Sequence, residues 1–188
     1  IEDVYMQVLR RAKHRVVIAN AYFFPGYRLL REMRNAARRG VDVRLILQGQ
    51  PDMLVAKLAA RMTYDYLLKA GVQIHEYCQR PLHGKVALVD EEWSTVGSSN
   101  LDPLSLSLNL EANVLIRDRA FNQMLFERLE DLSQNHCKAM DAAKSPRGRI
   151  WHMTVGFLVF HFLRHFPAMA GWLPAHKPRL KPFRGDRS

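Results

Sequence analysis

The amino-acid sequence predicts an α/β layered fold, a mixed but largely parallel sheet flanked by helices, on three observations. Strand-like and helix-like stretches alternate as β-α-β-α-β from Arg15 to Ile74. The first strand carries Val16, Val17 and Ile18 as an unbroken apolar run, the mark of a sheet covered on both faces. Gly40 and Gly71 stand where the two intervening helices must stop.

Residues 1 to about 13 place Val4, Val8 and Ala12 at helical spacing. Arg10, Arg11 and Lys13 gather near the end of that helix, where cations suit its dipole. Arg15 to Asn20 is the first strand, broken by Pro25-Gly26. Leu30, Met33 and Ala37 mark one face of the second helix, and Val41, Val43, Leu45 and Leu47 the next strand. Residues 53 to 70 form a third helix, followed by a strand through Val72 and Ile74. Ala21 to Pro25 falls just after the first strand, at the kind of strand end where α/β sheets place ligands, although Phe23 and Phe24 read as core aromatics. Further on, Asn109 to Arg117 alternates enough for a strand. Asp118 caps a helix with Phe121, Leu125, Leu129 and Leu132 on its inner stripe.

At 188 residues the chain forms one domain or one lobe of a larger enzyme. The 28 Lys and Arg against 18 Asp and Glu leave a net charge of +10, which implies an anionic partner, either nucleic acid or an anionic membrane surface. Two cysteines, Cys78 and Cys137, are too few for a disulfide framework and fit a reducing compartment. The chain opens on Ile1 with no signal peptide, so a longer parent beginning upstream is expected.

The chemistry concentrates between Pro81 and Asn100. Val86 to Val89 is a short buried strand, and Trp93 to Gly97 returns as its antiparallel partner across a Glu91-Glu92 turn. Alternation along a strand puts His83 and Lys85 on the same side, a titratable imidazole beside a fixed ammonium, as an anionic substrate requires. The return strand brings Ser98 and Asn100 back beside His83.

His83, Lys85, Asp90, Gly97, Ser98 and Asn100 satisfy every gap of H-x-K-x4-D-x6-G-S-x-N. This resembles the HKD signature of the phospholipase D superfamily, and agreement at every gap argues against a hairpin that carries a His and a Lys by accident. The Tyr22-Phe23-x-Pro25 segment and the Ala-Ala-x-x-Gly-Val-x-Val element from Ala36 to Val43 are similar to the C-terminal half of bacterial cardiolipin synthases. The likeness covers most of residues 1–135, which are expected to form a phospholipase D-like catalytic lobe with one HKD motif.

The resemblance implies phosphatidyl transfer by a ping-pong route in which His83 attacks a phosphodiester phosphorus or protonates the leaving alcohol. Lys85 and Asn100 would hold the non-bridging oxygens, Ser98 would add a hydrogen bond, and Asp90, grouped with the reacting residues, would brace the hairpin. Glu111, 28 residues after His83 and two after Asn109, matches a family glutamate that orients the histidine and stabilises its imidazolium. No metal or other cofactor is implied: there is no HExxH and no cluster of carboxylates. The expected substrate is phosphatidylglycerol, joined to a second molecule to give cardiolipin and glycerol. Because the family's mechanism uses two histidines, the partner of this lobe is a second HKD lobe in the same parent chain or in a homodimer. A dimeric single-motif phosphodiesterase or nuclease stands as the alternative enzyme, and a lobe that only binds anionic lipid as the non-enzymatic one.

Residues 136–188 change character, and a basic, hydrophobic membrane-associating segment is expected there. Ile150 to Trp172 is rich in Phe, Leu, Val, Met and Trp but is interrupted by His152, His161, Arg164, His165 and Pro167, which suits an interfacial amphipathic helix better than a span. Lys177, Arg179, Lys181, Arg184 and Arg187 follow as a polybasic tail for anionic headgroups. Together with the family resemblance this implies a peripheral position on the cytoplasmic face of a bacterial inner membrane.

Overall fold

The computed structural model describes residues 1–50, 54–102 and 110–141. The helix expected over 150–172 and the basic tail lie outside them. Along the chain come α1 (Glu2–Arg11), β1 (Arg15–Asn20), α2 (Tyr27–Arg38), β2 (Asp42–Gln48), α3 (Leu54–Leu68), β3 (Gln73–Tyr77), β4 (Lys85–Val89), β5 (Trp93–Gly97), β6 (Asn113–Arg117), α4 (Arg119–Asn135) and β7 (Cys137–Ala139). The strands make one seven-stranded sheet in the order β6-β5-β4-β1-β2-β3-β7.

Local chemistry explains the element ends. α1 opens on Glu2 and Asp3 and closes on Arg10 and Arg11, complementing its dipole at both ends. Gly40 and Gly71 adopt φ of +91° and +92° just past α2 and α3, a backbone that any side chain would strain. The Asp118 carboxylate accepts the Phe121 N–H at 2.7 Å and starts α4.

Burial then sorts residues by parity. Val16 and Ile18 of β1 pack with Val43, Leu45 and Leu47 of β2 beneath Leu9 of α1, Leu29 and Met33 of α2 and Leu67 of α3. Val17 and Ala19 face the other way, with Ile46 and Leu88, onto Leu129 and Leu125 of α4. The described residues thus form three layers, with α1 to α3 on one face of the sheet and α4 on the other.

The α/β layering matches the sequence pattern; the largely parallel sheet does not. Only β1–β2 and β2–β3 run parallel, while β1–β4, β4–β5, β5–β6 and β3–β7 are antiparallel. The reason lies between β3 and β4. Residues 78–84 hold no helix, so the chain crosses one end of the sheet and must re-enter it from that end, antiparallel to β1. β7 lies beyond the expected lobe boundary at residue 135; its three residues extend the sheet past β3. Among the described residues no helix is long and apolar enough to cross a membrane.

Candidate active site

The carboxyl end of β1, the start of β4, the end of β5 and the start of β6 all meet at one edge of the sheet. In the ladder Asn20 stands opposite Lys85, and Val86 opposite Val96, so Lys85 lies next to Gly97 one step further on. Gly97 in turn faces Asn113. A polar row therefore crosses four strands on the face that α1 to α3 cover, through Asn20, Lys85, Gly97 and Asn113. Segment 78–84 passes over this edge and delivers His83.

Lys85 is 6% exposed, and its Nζ donates to the His83 carbonyl at 3.0 Å. Burial lowers its pKa, since the charged form loses water, while the negative charge of Glu111 pulls the other way. That coupling places Glu111 within electrostatic reach of Lys85. His83 itself lies ahead of β4 rather than within it and is exposed.

The glycine of the motif has a steric cause. A Cβ on Gly97 would sit 2.4 Å from the Ala112 carbonyl oxygen and 2.7 Å from the Asn113 Cα, so only glycine lets β6 close this tightly. Ser98 secures the same closure. Its N–H donates to the Ala112 carbonyl at 3.0 Å, and its hydroxyl accepts the Ala112 N–H at 3.0 Å and donates to the Ala112 carbonyl at 3.4 Å. Its hydroxyl is thus engaged with the protein backbone. The buried hydroxyl of Ser99, at the motif's unspecified position, donates to the Asn113 side-chain oxygen.

Asn100 belongs to a second closure, between the loop after β5 and the end of β1. Its Oδ1 accepts the Tyr22 N–H at 3.4 Å, the Phe24 N–H donates to the Leu101 carbonyl at 2.8 Å, and the Asn20 Oδ1 accepts the Leu101 N–H at 3.3 Å. Phe23 and Phe24 are buried, as core aromatics should be.

Asp90 stands at the opposite end of β4. Its carboxylate accepts the backbone N–H groups of Lys13, His14 and Arg15 at 2.8 to 3.2 Å, and Arg15 Nε donates to its carbonyl at 3.1 Å. Five residue steps, the length of β4, separate it from Lys85, roughly 16 Å at the usual rise. His83, Lys85, the Asn100 loop and the approach of Glu111 are therefore brought to one edge, and Asp90 is held away from it.

Sequence reasoning passed over Asn20, Ser99 and Asn113. Asn20 had a legible sign, a lone amide closing the apolar run from Val16 to Ala19. Ser99 and Asn113 had none, because the pairing of β5 with β6 is what makes them neighbours.

The family described as "Cardiolipin synthase, PLD-like domain" matches residues 5–133. Cardiolipin synthase B of Salmonella typhi is 62% identical over 180 residues, 96% of this chain and 44% of that protein. The chain thus spans less than half the length of the curated relatives it matches. Among solved structures, Nuc, a phospholipase D family member from Salmonella typhimurium, superposes with a TM-score of 0.65 at 20% identity, covering 74% of this chain and 90% of that one. Phosphatidylserine synthase of Haemophilus influenzae Rd KW20 does so with a TM-score of 0.61 at 16% identity, covering 89% and 43% respectively. On the family match, set beside the strand order and the edge where His83 and Lys85 meet, this chain belongs to the phospholipase D-like domain family of cardiolipin synthases.

Proposed function

We propose that this lobe is half of a phosphatidyltransferase that joins two phosphatidylglycerol molecules into cardiolipin and glycerol. The observation that carries the reading is a buried ammonium, Lys85, held beside the exposed His83 at an edge where Glu111 acts on its charge.

His83 Nε2 attacks the phosphorus of one phosphatidylglycerol. The bond from phosphorus to the glycerol oxygen breaks, and glycerol departs with a proton supplied by the histidine of a second HKD lobe. A headgroup hydroxyl of another phosphatidylglycerol then gives up its proton to that histidine and attacks the phosphohistidine. Cardiolipin forms and His83 returns to its starting state; the reverse assignment of the two histidines balances equally. Lys85 and Asn100 take the non-bridging oxygens, where a preorganised cation and amide offset the charge gained in the transition state. Glu111 orients His83 and stabilises its imidazolium. Asp90 and Ser98 serve by fixing the hairpin that carries these groups.

The second lobe lies in the same parent chain or in a second copy. The 62% identity to a protein more than twice the length of this chain supports the first. Residues 150–172 and the basic tail to Arg187 would rest the enzyme on an anionic surface, peripheral to the cytoplasmic face of the inner membrane. Each Lys or Arg at such a surface contributes about 1 kcal/mol.

The test is product analysis on the full-length protein with phosphatidylglycerol in mixed micelles. Cardiolipin and glycerol in equal amounts support the reading. Phosphatidic acid alone would make it a hydrolase, and cleavage of DNA in place of lipid would make it a nuclease.

A further inference from the structure

Asn20 ends β1 with its side chain wholly buried, directly opposite Lys85 in the antiparallel ladder. Opposed residues of such a pair point to the same face with their Cβ atoms about 5 Å apart. The Leu101 N–H, donating at 3.3 Å, fixes which amide atom is the oxygen. The amide nitrogen therefore points elsewhere, and among the described residues it has no acceptor. A buried donor without a partner is a cost that a fold ordinarily removes.

An aspartate here would accept the same Leu101 N–H with nearly the same shape and would carry no orphaned donor. It would also place a carboxylate against Lys85. The neutral amide retains the loop closure and leaves the ammonium unneutralised from this side.

We propose that Asn20 is a positioning residue of the phosphoryl site: its oxygen clips the loop bearing Asn100 to the end of β1, and its neutrality keeps the Lys85 charge available to an anionic ligand. This rests on the phosphatidyl-transfer reading and names a further residue that serves it. Around Lys85, Glu111 from the stretch before β6 supplies the acting charge, and His83, two residues earlier, takes an ammonium hydrogen on its carbonyl. β1 meets it with Asn20, which does not titrate.

The test compares Asn20→Asp and Asn20→Ala with wild type in the full-length protein, reading melting temperature, kcat and KM for phosphatidylglycerol, the pH profile and inhibition by inorganic phosphate. Asn20→Asp should melt no lower than wild type, because the clip survives and a pair with Lys85 is added. Its kcat should nevertheless fall ~100-fold, comparable to losing one oxyanion donor. Phosphate inhibition should weaken at least ~10-fold, the price of a carboxylate competing for the ammonium. The alkaline limb should move to higher pH, since a neighbouring carboxylate favours the charged lysine. Asn20→Ala should melt lower and lose kcat with the alkaline limb unmoved. An Asn20→Asp enzyme with wild-type kcat and phosphate inhibition, or one matching Asn20→Ala in every readout, overturns the proposal.

Should Asn20→Asp not fold, Asn20→Ser decides. Its short neutral acceptor should keep kcat above that of Asn20→Ala, and equal values overturn the clip. Wild type inactive on phosphatidylglycerol would defeat the functional reading alone. Inorganic phosphate binding by calorimetry would then still separate Asn20→Asp from wild type, and equal affinity would overturn the part given to Asn20.

Discussion

The two ends of β4 carry parts of one motif under opposite rules. At the far end the Asp90 carboxylate is consumed by the fold, with three backbone N–H groups donating to it and the Arg15 guanidinium closing on its carbonyl. Asp90 even holds a φ of +52°, a conformation that Asp and Asn tolerate better than most residues. At the near end Lys85 is buried with its ammonium against the His83 carbonyl, and the imidazole of His83 stands exposed. A charge whose compensation is built into the backbone reports on stability when it is removed. A charge kept dry with little compensation is an expense to the fold, and its removal should report on chemistry.

His83→Ala tests the near end most severely. Removing the proposed nucleophile or proton donor should lower turnover of the full-length protein by ~10⁴-fold or more. Melting should barely move, because an exposed side chain outside β4 contributes little to packing. A well-folded variant with retained turnover would break the comparison at its centre.

Lys85→Met comes next, with an expected loss of ~10²- to 10³-fold in kcat. Its stability should equal or exceed that of wild type at neutral pH, since the buried ammonium gives way to an apolar chain of similar length. The pH dependence has a definite sign. Burial lowers the folded-state pKa of Lys85 below its ordinary 10.5. Between the two values the unfolded chain binds the extra proton, so wild-type stability rises with pH across that window. Any advantage of Lys85→Met in denaturant should therefore shrink as pH approaches 10.5. An advantage that grows instead would mean that a partner supports the ammonium in the folded state.

Much of this contrast was legible beforehand, and the illegible part has a common cause. The gaps from His83 to Asn100 specify a strand, a turn and a return, and alternation along them suffices to separate the two ends of β4. The parallel half of the sheet follows from helices between strands, as do the stops at Gly40 and Gly71. What the pattern could not carry was pairing between distant segments. That β4 lies against β1 rather than β3 puts Asn20 opposite Lys85. That β6 lies against β5 gives Gly97 its steric reason through Ala112 and Asn113. β7 was too short and too exposed to show any periodicity at all.

Asp90→Ala should act on the other quantity. Three donors lose a charged acceptor, which costs about 2–3 kcal/mol of stability by denaturant titration. The folded fraction should keep kcat within ~10-fold of wild type. Asp90→Asn should be milder, because it retains one acceptor oxygen and the tolerance for positive φ. A stable Asp90→Ala enzyme with turnover as low as that of His83→Ala would move Asp90 across to the chemical end.

Ser98→Ala should have the smallest effect, and it sharpens the comparison because Ser98 sits at the near edge while bonding like a residue of the far one. Its hydroxyl accepts the Ala112 N–H and leans on the Ala112 carbonyl, and its own N–H donates to that carbonyl. The last of these survives the substitution, so only the hydroxyl's bonds are lost, about 1 kcal/mol. Ala112 directly follows Glu111, so loosening this stretch should let Glu111 drift from the orientation in which it is proposed to steady His83. The expected result is a drop in kcat of no more than ~10-fold with KM unchanged, since only support given to the transition state through Glu111 is weakened. A direct contact between the Ser98 hydroxyl and a phosphoryl oxygen would cost ~100-fold. Steady-state kinetics on Ser98→Ala separates these outcomes, and the larger loss would place the hydroxyl among the groups that hold the substrate.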